Sequence, residues 1–325
     1  MIGRVQRGLK VLKKVFGKFC RFLAGVHRFI IGSFLFLAYT GVFVTAFFIV
    51  KGRRGEEKHL EKPFILQVSL SKTLKEIETG FSSQGISFVR RLVALRHAID
   101  DPNVKGVLVE AGDISIGLAQ MQEMHRILLE LRKKKPVYCY LSSAGASLYA
   151  LSSGCTKIFL QPMGELSLKG LFTEQFYFKK LLDFMGVEGF FVGKEEYKSG
   201  VEPFSLEKMS GPVRENYESL FKEIEQTLEE VVSKGRPQVK SVEKTLLEGP
   251  YAIGQALSRK LIDGALPLFG VRAEIQSKLK VKKEDDPLPM MPLTQYMGVL
   301  WEKSKRTSKK GKKVAVVIME GEIVR

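Results

Sequence analysis

From Pro63 onward, short apolar runs alternate with longer segments in which apolar residues recur every three or four positions. Short runs bounded by turn residues are typical of buried strands, and the three-to-four spacing predicts helices with one apolar face. The pattern predicts strands at 64–70, 104–111, 137–141, 157–160 and 189–192, and helices at 88–99, 117–134, 147–153, 172–185, 212–234 and, in two pieces, 242–262. This alternation favours an α/β fold with mostly parallel strands, in which ligand sites gather at the carboxyl ends of the strands.

The longest apolar run lies near the amino terminus, from Phe29 to Val50, and its 22 residues include no charge. As a helix it would be about 33 Å long, which is enough to cross a hydrocarbon core of about 30 Å. A cleaved signal peptide would have a shorter apolar region and a small-residue cleavage site, whereas a basic segment follows here. We therefore predict a single transmembrane helix at 29–50.

The basic flank on the amino-terminal side of this run carries more charge than the other flank. Positive charge collects on the cytoplasmic side of membrane proteins, so residues 1–28 are predicted to be a basic cytoplasmic tail. The main domain then lies across the membrane. In a bacterium this places the chain in the inner membrane with its main domain in the periplasm.

A net charge of +17 on 325 residues would by itself suggest a nucleic-acid partner. The charge is concentrated at the two ends, because residues 1–28 contribute +8 and residues 302–313 contribute +6, which leaves only +3 for everything between. Such a distribution indicates membrane topology and a basic linker. We expect a lipid membrane as a partner and no nucleic acid.

Three cysteines and four isolated histidines offer little metal chemistry. Cys20 precedes the membrane segment, so only Cys139 and Cys155 are able to pair in an oxidising compartment. Both lie in apolar surroundings, which favours buried free thiols. The histidines have no ligand spacing such as HExxH, and we expect neither a metal nor a cofactor.

One lysine follows the predicted strand 189–192 after a polar turn. Lys198 stands between Tyr197 and Ser199, just before a Gly…Pro break. A lysine acts as a general base only where burial or nearby positive charge keeps its amine neutral. Glu195, Glu196 and Glu202 would oppose that role if they faced the amine, so we expect them to point elsewhere.

The octet 197–204 (Tyr-Lys-Ser-Gly-Val-Glu-Pro-Phe) resembles the signature around the catalytic lysine of the signal peptide peptidase A family, also called protease IV. Residues 157–164, 168–171 and 177–183 follow the family's order and spacing, and the resemblance covers roughly residues 60–265. It implies a membrane-bound serine peptidase with a Ser/Lys dyad, a crotonase-like (Clp-protease-like) α/β fold, signal peptides and other extended polypeptides as substrates, and a dome-like homo-oligomer.

The resemblance implies two possible sources for the nucleophile. In the short form of the family the serine lies in a Ser-Gly-Gly-Tyr turn of the same repeat, and in the long form it comes from a second repeat. The corresponding turn here is Ala-Ser-Leu-Tyr at 146–149, with Ala146 in the nucleophile position. Ser147 comes one residue late, which rotates its side chain by about 100° on a helix, so it is predicted to cap the helix and is kept as a second candidate nucleophile.

Two further features of the sequence bear on this turn. Residues 112–117 occupy the place of the family's oxyanion glycines but lack a Gly-Gly pair. Tyr149 is a possible neighbour of the site, although a core position is the more ordinary role for a tyrosine in this context. The departures fit a repeat that donates the lysine and lacks its own serine.

The segments are predicted to follow one another as a tail at 1–28, a transmembrane helix at 29–50, a peptidase repeat with carboxyl-terminal helices at 60–270, a linker at 271–313 and the first strand of a second repeat at 314–325. Lys198 would supply the base, and the serine would come from a second repeat or a separately encoded half. The alternative is a non-catalytic half that oligomerises or binds peptides. A crotonase-type acyl-CoA enzyme would share the fold, but the anchor and the octet argue against it.

Overall fold

The computed structural model describes residue 36, residues 39–45 and 47, and residues 62–74, 76, 86–191, 199–279 and 288–307. The chain divides into two units, Met1–Glu61 and Lys62–Arg325. In the first unit the described residues all fall within the predicted membrane segment, are helical, and carry exposed large side chains such as Phe36 and Phe43. The rest of that segment lies outside the described residues, and within them no helix is long and apolar enough to span a membrane.

A parallel sheet organises the second unit, which confirms the α/β class. Among the described residues it has six strands in the order β7-β5-β3-β2-β1-β8, and every pairing is parallel. The strands are β1 (Phe64–Thr73), β2 (Val104–Ser115), β3 (Val137–Leu141), β5 (Lys157–Leu160), β7 (Gly264–Ala265) and β8 (Met290–Pro292). A second, two-stranded parallel sheet joins β4 (Ala144–Gly145) to β6 (Leu166–Ser167).

Helices connect the strands and cover the sheet. They are α1 (Phe88–Asp100), α2 (Leu118–Lys134), α3 (Ala146–Ser153), α4 (Lys179–Phe184), α5 (Glu202–Ser205), α6 (Gly211–Gly235), α7 (Val242–Leu247), α8 (Ile253–Ser258), α9 (Leu268–Lys278) and α10 (Leu293–Thr307). The central strands are apolar at successive positions and buried on both faces, as parallel strands between helical layers require. On one face, Val271 and Ile275 of α9 pack with Leu108 and Tyr138.

The sequence pattern located most of these elements. The strands at β1, β2, β3 and β5 and the helices α1, α2, α3, α6, α7 and α8 all lie where they were predicted, with ends that differ by a few residues. Ser210 caps α6 as predicted, because its Oγ accepts a hydrogen bond from the backbone N–H of Val213 at 3.4 Å. The apolar pattern was therefore a sufficient signal for these segments, with the cap at Ser210 as a further signal for α6.

The segment before the lysine octet differs from the prediction. The helix predicted at 172–185 is reduced to α4, and residues 189–191, predicted as a buried strand, are irregular and leave Phe190 92% exposed. Both outer strands of the sheet, β7 and β8, come from later in the chain. Residues 189–191 pair with no strand of the described sheet, so hydrophobicity alone was not a sufficient signal for a strand here.

The predicted linker at 271–313 is also wrong where the structure describes it. Residues 271–278 belong to α9, and β8 pairs with β1, so that Met290 lies opposite Ile65. Leu293, Tyr296 and Val299 of α10 are buried at helical spacing. The prolines and acidic residues near 285–292 mask this pattern in the sequence. Residues 308–325, with the predicted second-repeat strand at 314–325, lie outside the described residues.

Candidate active site

Lys198, the predicted general base, lies outside the described residues, together with Glu195 and Glu196. The description resumes at Ser199 with a single 3-10 turn, Ser199–Val201, which leads directly into α5. The turn is closed locally, since the Oγ of Ser205 donates to the carbonyl of Val201 at 3.0 Å. The residue that follows Lys198 thus begins a short, internally hydrogen-bonded structure.

Glu202, the first residue of α5, points away from solvent and towards the start of α6. Its side chain is 8% exposed. The carboxylate accepts a hydrogen bond from the Oγ of Ser210 at 2.6 Å and from the backbone N–H of Ser210 at 3.3 Å. Both hydrogen bonds join the carboxylate to the N-cap residue of α6.

Aromatic side chains also contact α5. The ring of Phe204 stacks on Phe178 with centroids 5.8 Å apart and on Phe191 with centroids 6.4 Å apart. The backbone N–H of Phe178 donates to the carbonyl of Pro203 at 2.6 Å. The neighbouring Tyr177 is half-buried, and its burial together with the nearby Glu202 carboxylate raises its pKa. The segment after Lys198 thus contacts the residue before α4, Phe191 and the N-cap of α6.

The turn that corresponds to the family's nucleophile turn follows the carboxyl end of β3. Strand β4 pairs with β6, and α3 begins immediately afterwards at Ala146. The N-cap of α3 is Gly145, which has no side chain to accept from the first-turn N–H groups. Ala146 occupies the first helical position, so the position that the resemblance assigns to the nucleophile carries only a methyl group.

Ser147 is the second residue of α3 and is half-buried. The prediction that it caps the helix is wrong, because the cap position belongs to Gly145. The Ser147 hydroxyl makes no hydrogen bond to any residue that the structure describes. Ser147 directly follows Ala146, the residue in the position that the resemblance assigns to the nucleophile.

Close packing fixes the backbone beside this turn. A Cβ added to Gly112 in β2 would lie 2.9 Å from the Oγ of Ser142, and one added to Gly164 would lie 2.5 Å from the carbonyl oxygen of Ser142. Glycines at these positions let the chain segments after β2, β3 and β5 approach one another. Residues 112–115 continue β2, and Gly117 caps α2 without a side chain.

Tyr149 is a core residue, as its ordinary role suggested. The ring is fully buried, and its hydroxyl donates to the carbonyl of Leu261 at 3.1 Å. Burial is the main cause of the raised pKa of the phenol. Beside it, the guanidinium of Arg236 donates to Asp263 at 2.7 Å and to the carbonyl of Lys260 at 2.8 Å. The hydrogen bond of Tyr149 therefore connects α3 to the loop that contains Leu261.

A disulfide joins Cys139 in β3 to Cys155, two residues beyond α3. The expectation of buried free thiols was therefore wrong. The strand and the end of the helix approach closely enough that the two cysteines have Cα atoms 6.0 Å apart, a distance suited to a disulfide. The closed loop contains β4, Ala146 and Ser147. Their separation of 16 residues in the sequence did not indicate that the two sulfur atoms would be in contact.

The pairing of Glu202 with Ser210 and that of Arg236 with Asp263 were not identified from the sequence. Neither pair has a characteristic spacing, since each depends on how two helices and a loop meet in space. Within the described part of the chain, no group of three or more His, Cys, Asp or Glu side chains is arranged to hold a metal ion.

The sequence of this chain is similar to those of known proteases. Peptidase family S49 matches residues 130–282, which include both predicted site residues. Protease 4 of Salmonella typhi is 31% identical over 182 residues, which are 52% of this chain and 29% of that protein. The chloroplastic serine protease SPPA of Arabidopsis thaliana is 25% identical over 248 residues, which are 74% of this chain and 36% of that protein. The chain spans about a third of the length of the curated relatives it matches.

A solved structure of a membrane-bound stomatin-specific protease also aligns with the chain. Its sequence identity is 11% and its TM-score is 0.38, over 66% of this chain and 86% of that chain.

Proposed function

Because the chain belongs to the signal peptide peptidase A (protease IV) family, we propose that it is the lysine-donating repeat of a Ser/Lys serine peptidase. The observation that carries the proposal is the octet 197–204. It resembles the family's lysine signature and lies inside the range matched by Peptidase family S49. Lys198 is the general base of the proposed site.

The proposed chemistry needs one lysine and one serine. The neutral amine of Lys198 accepts the proton of the serine hydroxyl as the serine oxygen attacks the scissile carbonyl, and the resulting ammonium passes that proton to the leaving amine. Backbone N–H groups stabilise the tetrahedral oxyanion. A water molecule then hydrolyses the acyl-enzyme with the same amine as the base. No metal or cofactor takes part.

The serine is proposed to come from a second repeat or from a separately encoded half. Support comes from the turn at α3, where Ala146 provides no nucleophile in the position that corresponds to the family's serine. Ser147 is the competing candidate, because it belongs to the same first turn and its hydroxyl is not engaged by any described residue. The two possibilities make opposite predictions for the isolated chain.

The remaining parts of the proposal concern location and substrates. We propose a crotonase-like repeat that assembles as a homo-oligomer and is anchored by a helix at 29–50, with the main domain on the periplasmic side of a bacterial membrane. The disulfide between Cys139 and Cys155 supports an oxidising compartment. Substrates would be signal peptides and other extended polypeptides, which would dock by adding a strand to the enzyme.

A serine-directed fluorophosphonate probe tests the proposal. The purified, detergent-solubilised chain is treated with the probe alone and after co-expression with a second repeat that carries a Ser-Gly-Gly-Tyr turn. The proposal predicts labelling only of that second repeat, and loss of labelling in Lys198→Ala. Labelling of this chain by itself that is lost in Ser147→Ala would assign the serine to Ser147 instead.

A non-catalytic role is the second candidate function, and the methyl group of Ala146 favours it for the chain by itself. Such a half would bind peptides or oligomerise without hydrolysing anything. Probe labelling in neither condition, combined with retained binding of an extended peptide, would support this role over the peptidase.

A further inference from the structure

The buried carboxylate of Glu202 lies four residues after Lys198 and makes a contact that the proposed chemistry does not require. Its two oxygens accept hydrogen bonds from the Oγ and the backbone N–H of Ser210, at 2.6 and 3.3 Å. A buried carboxylate is costly unless it is hydrogen-bonded, and this one has two donors. The contact therefore holds α5 against the first residue before α6.

Ser210 is a well-anchored partner. It is the N-cap of α6, a helix of 25 residues, and its Oγ accepts from the N–H of Val213 while it donates to Glu202. Val213, Leu228 and Val232 fix α6 in the core. The positive end of the helix dipole also favours a carboxylate at this place. Glu202 thus ties the chain after Lys198 to one of the longest rigid elements of the fold.

A second attachment of the same short segment is aromatic. Phe204 stacks on Phe178 and Phe191, and Pro203 accepts from the Phe178 backbone. Because aromatic stacking tolerates sliding whereas a 2.6 Å hydrogen bond does not, the bond to Ser210 is the more directional of the two attachments. It fixes residues 199–205 relative to the start of α6.

We propose that Glu202 is a positioning residue for the peptidase site: its hydrogen bond to Ser210 fixes the turn Ser199–Val201, which directly follows Lys198 in the chain. The inference rests on the proposed function of Lys198. Glu202 acts through the backbone and not by pairing with the amine. Its charge is therefore less important than its ability to accept the hydrogen bond from Ser210.

This mechanism makes a prediction opposite in sign to that of a direct electrostatic effect. Removing a nearby negative charge lowers the pKa of a lysine, whereas releasing a lysine from a desolvated position lets its pKa return towards the ordinary value of about 10.4. Glu202→Ala should therefore raise the pKa of Lys198, by about one unit, which is a tenfold loss of neutral amine near pH 8. Ser210→Ala keeps the carboxylate but removes its short bond, and should do the same.

The experiment is competitive acetylation of the detergent-solubilised full chain with trace acetic anhydride from pH 6 to 11, with the rate at each lysine measured by peptide mass spectrometry. Glu202→Gln retains an oxygen acceptor for Ser210, so Lys198 should titrate as in the wild type. Glu207→Ala is the matched control, because Glu207 lies on the same segment and forms an exposed ion pair with Lys180. Thermal unfolding is measured for every variant.

Each outcome decides a different point. An ordinary titration of Lys198 in the wild type would overturn the base assignment itself, and with it the proposed function. A lowered wild-type pKa that stays unchanged or falls further in Glu202→Ala would leave the base in place and overturn the positioning role. If Glu202→Ala does not fold, Ser210→Ala and Glu202→Gln still give the decision, because one breaks the bond and the other keeps it.

Discussion

Replacing His125 with leucine should make the second unit of the chain less sensitive to acid. The imidazole belongs to α2, is 4% exposed, and its Nε2 has no hydrogen-bond partner among the described residues. Burial, assisted by the positive charges of Arg132 and Lys234, lowers its pKa from 6.5 to about 4. The folded chain therefore holds this histidine neutral at a pH where an unfolded chain would protonate it.

The sign of the effect follows from proton uptake. Between pH 6.5 and pH 4 the unfolded state binds one more proton at this position than the folded state, so the free energy of unfolding falls as the pH falls through that window. A lowering from 6.5 to about 4 corresponds to about 3 kcal/mol when complete. About 2.5 kcal/mol of it is lost between pH 7.5 and pH 4.5.

Urea unfolding of the solubilised chain at several pH values measures the effect. The wild type should lose about 2.5 kcal/mol more than His125→Leu between pH 7.5 and pH 4.5, because leucine fills the site without a titratable group. His97→Gln is the matched control, since it removes an exposed histidine of α1 instead of a buried one. Parallel losses in wild type and His125→Leu would refute the reasoning.

Three further predictions concern a buried ion pair, the disulfide and a buried tyrosine hydroxyl. Asp263→Ala should lower the free energy of unfolding by about 3 to 5 kcal/mol in urea titrations, because it leaves the buried Arg236 unpaired; a loss under 1 kcal/mol would contradict this. Thiol titration in denaturant should find two fewer thiols without reductant than with it, whereas equal counts would show that Cys139 and Cys155 are unpaired. Tyr296→Phe removes a 3.0 Å hydrogen bond to a carboxylate and should cost about 1 to 2 kcal/mol; no change in the melting curve would count against that bond.

The sequence predicted the α/β class and most elements because their signals are local. The periodicity of α6 and the cap at Ser210 depend on residues three or four apart, and the strands β1, β2 and β3 are apolar runs of ordinary length. The failures depend on distant partners. The run at 189–191 is as apolar as a buried strand, but it pairs with no strand of the described sheet.

The candidate site was predicted only in part. The octet 197–204 and the turn at Ala146 could be identified because a family signature fixes them in the sequence. The contact between Glu202 and Ser210 and the disulfide between Cys139 and Cys155 could not, since each joins residues brought together by packing. The helix at α10 was mistaken for a linker because prolines and charges precede its buried residues.

Peptide hydrolysis by the chain assembled with a serine-bearing second repeat tests the central claim most directly. If Lys198 is the general base, Lys198→Ala should lower kcat by about 10² to 10⁴. Lys169→Ala should leave kcat within about twofold, because Lys169 is exposed and its contact with Glu165 at 3.9 Å is a surface ion pair. A rate that survives Lys198→Ala would contradict the assignment of the base.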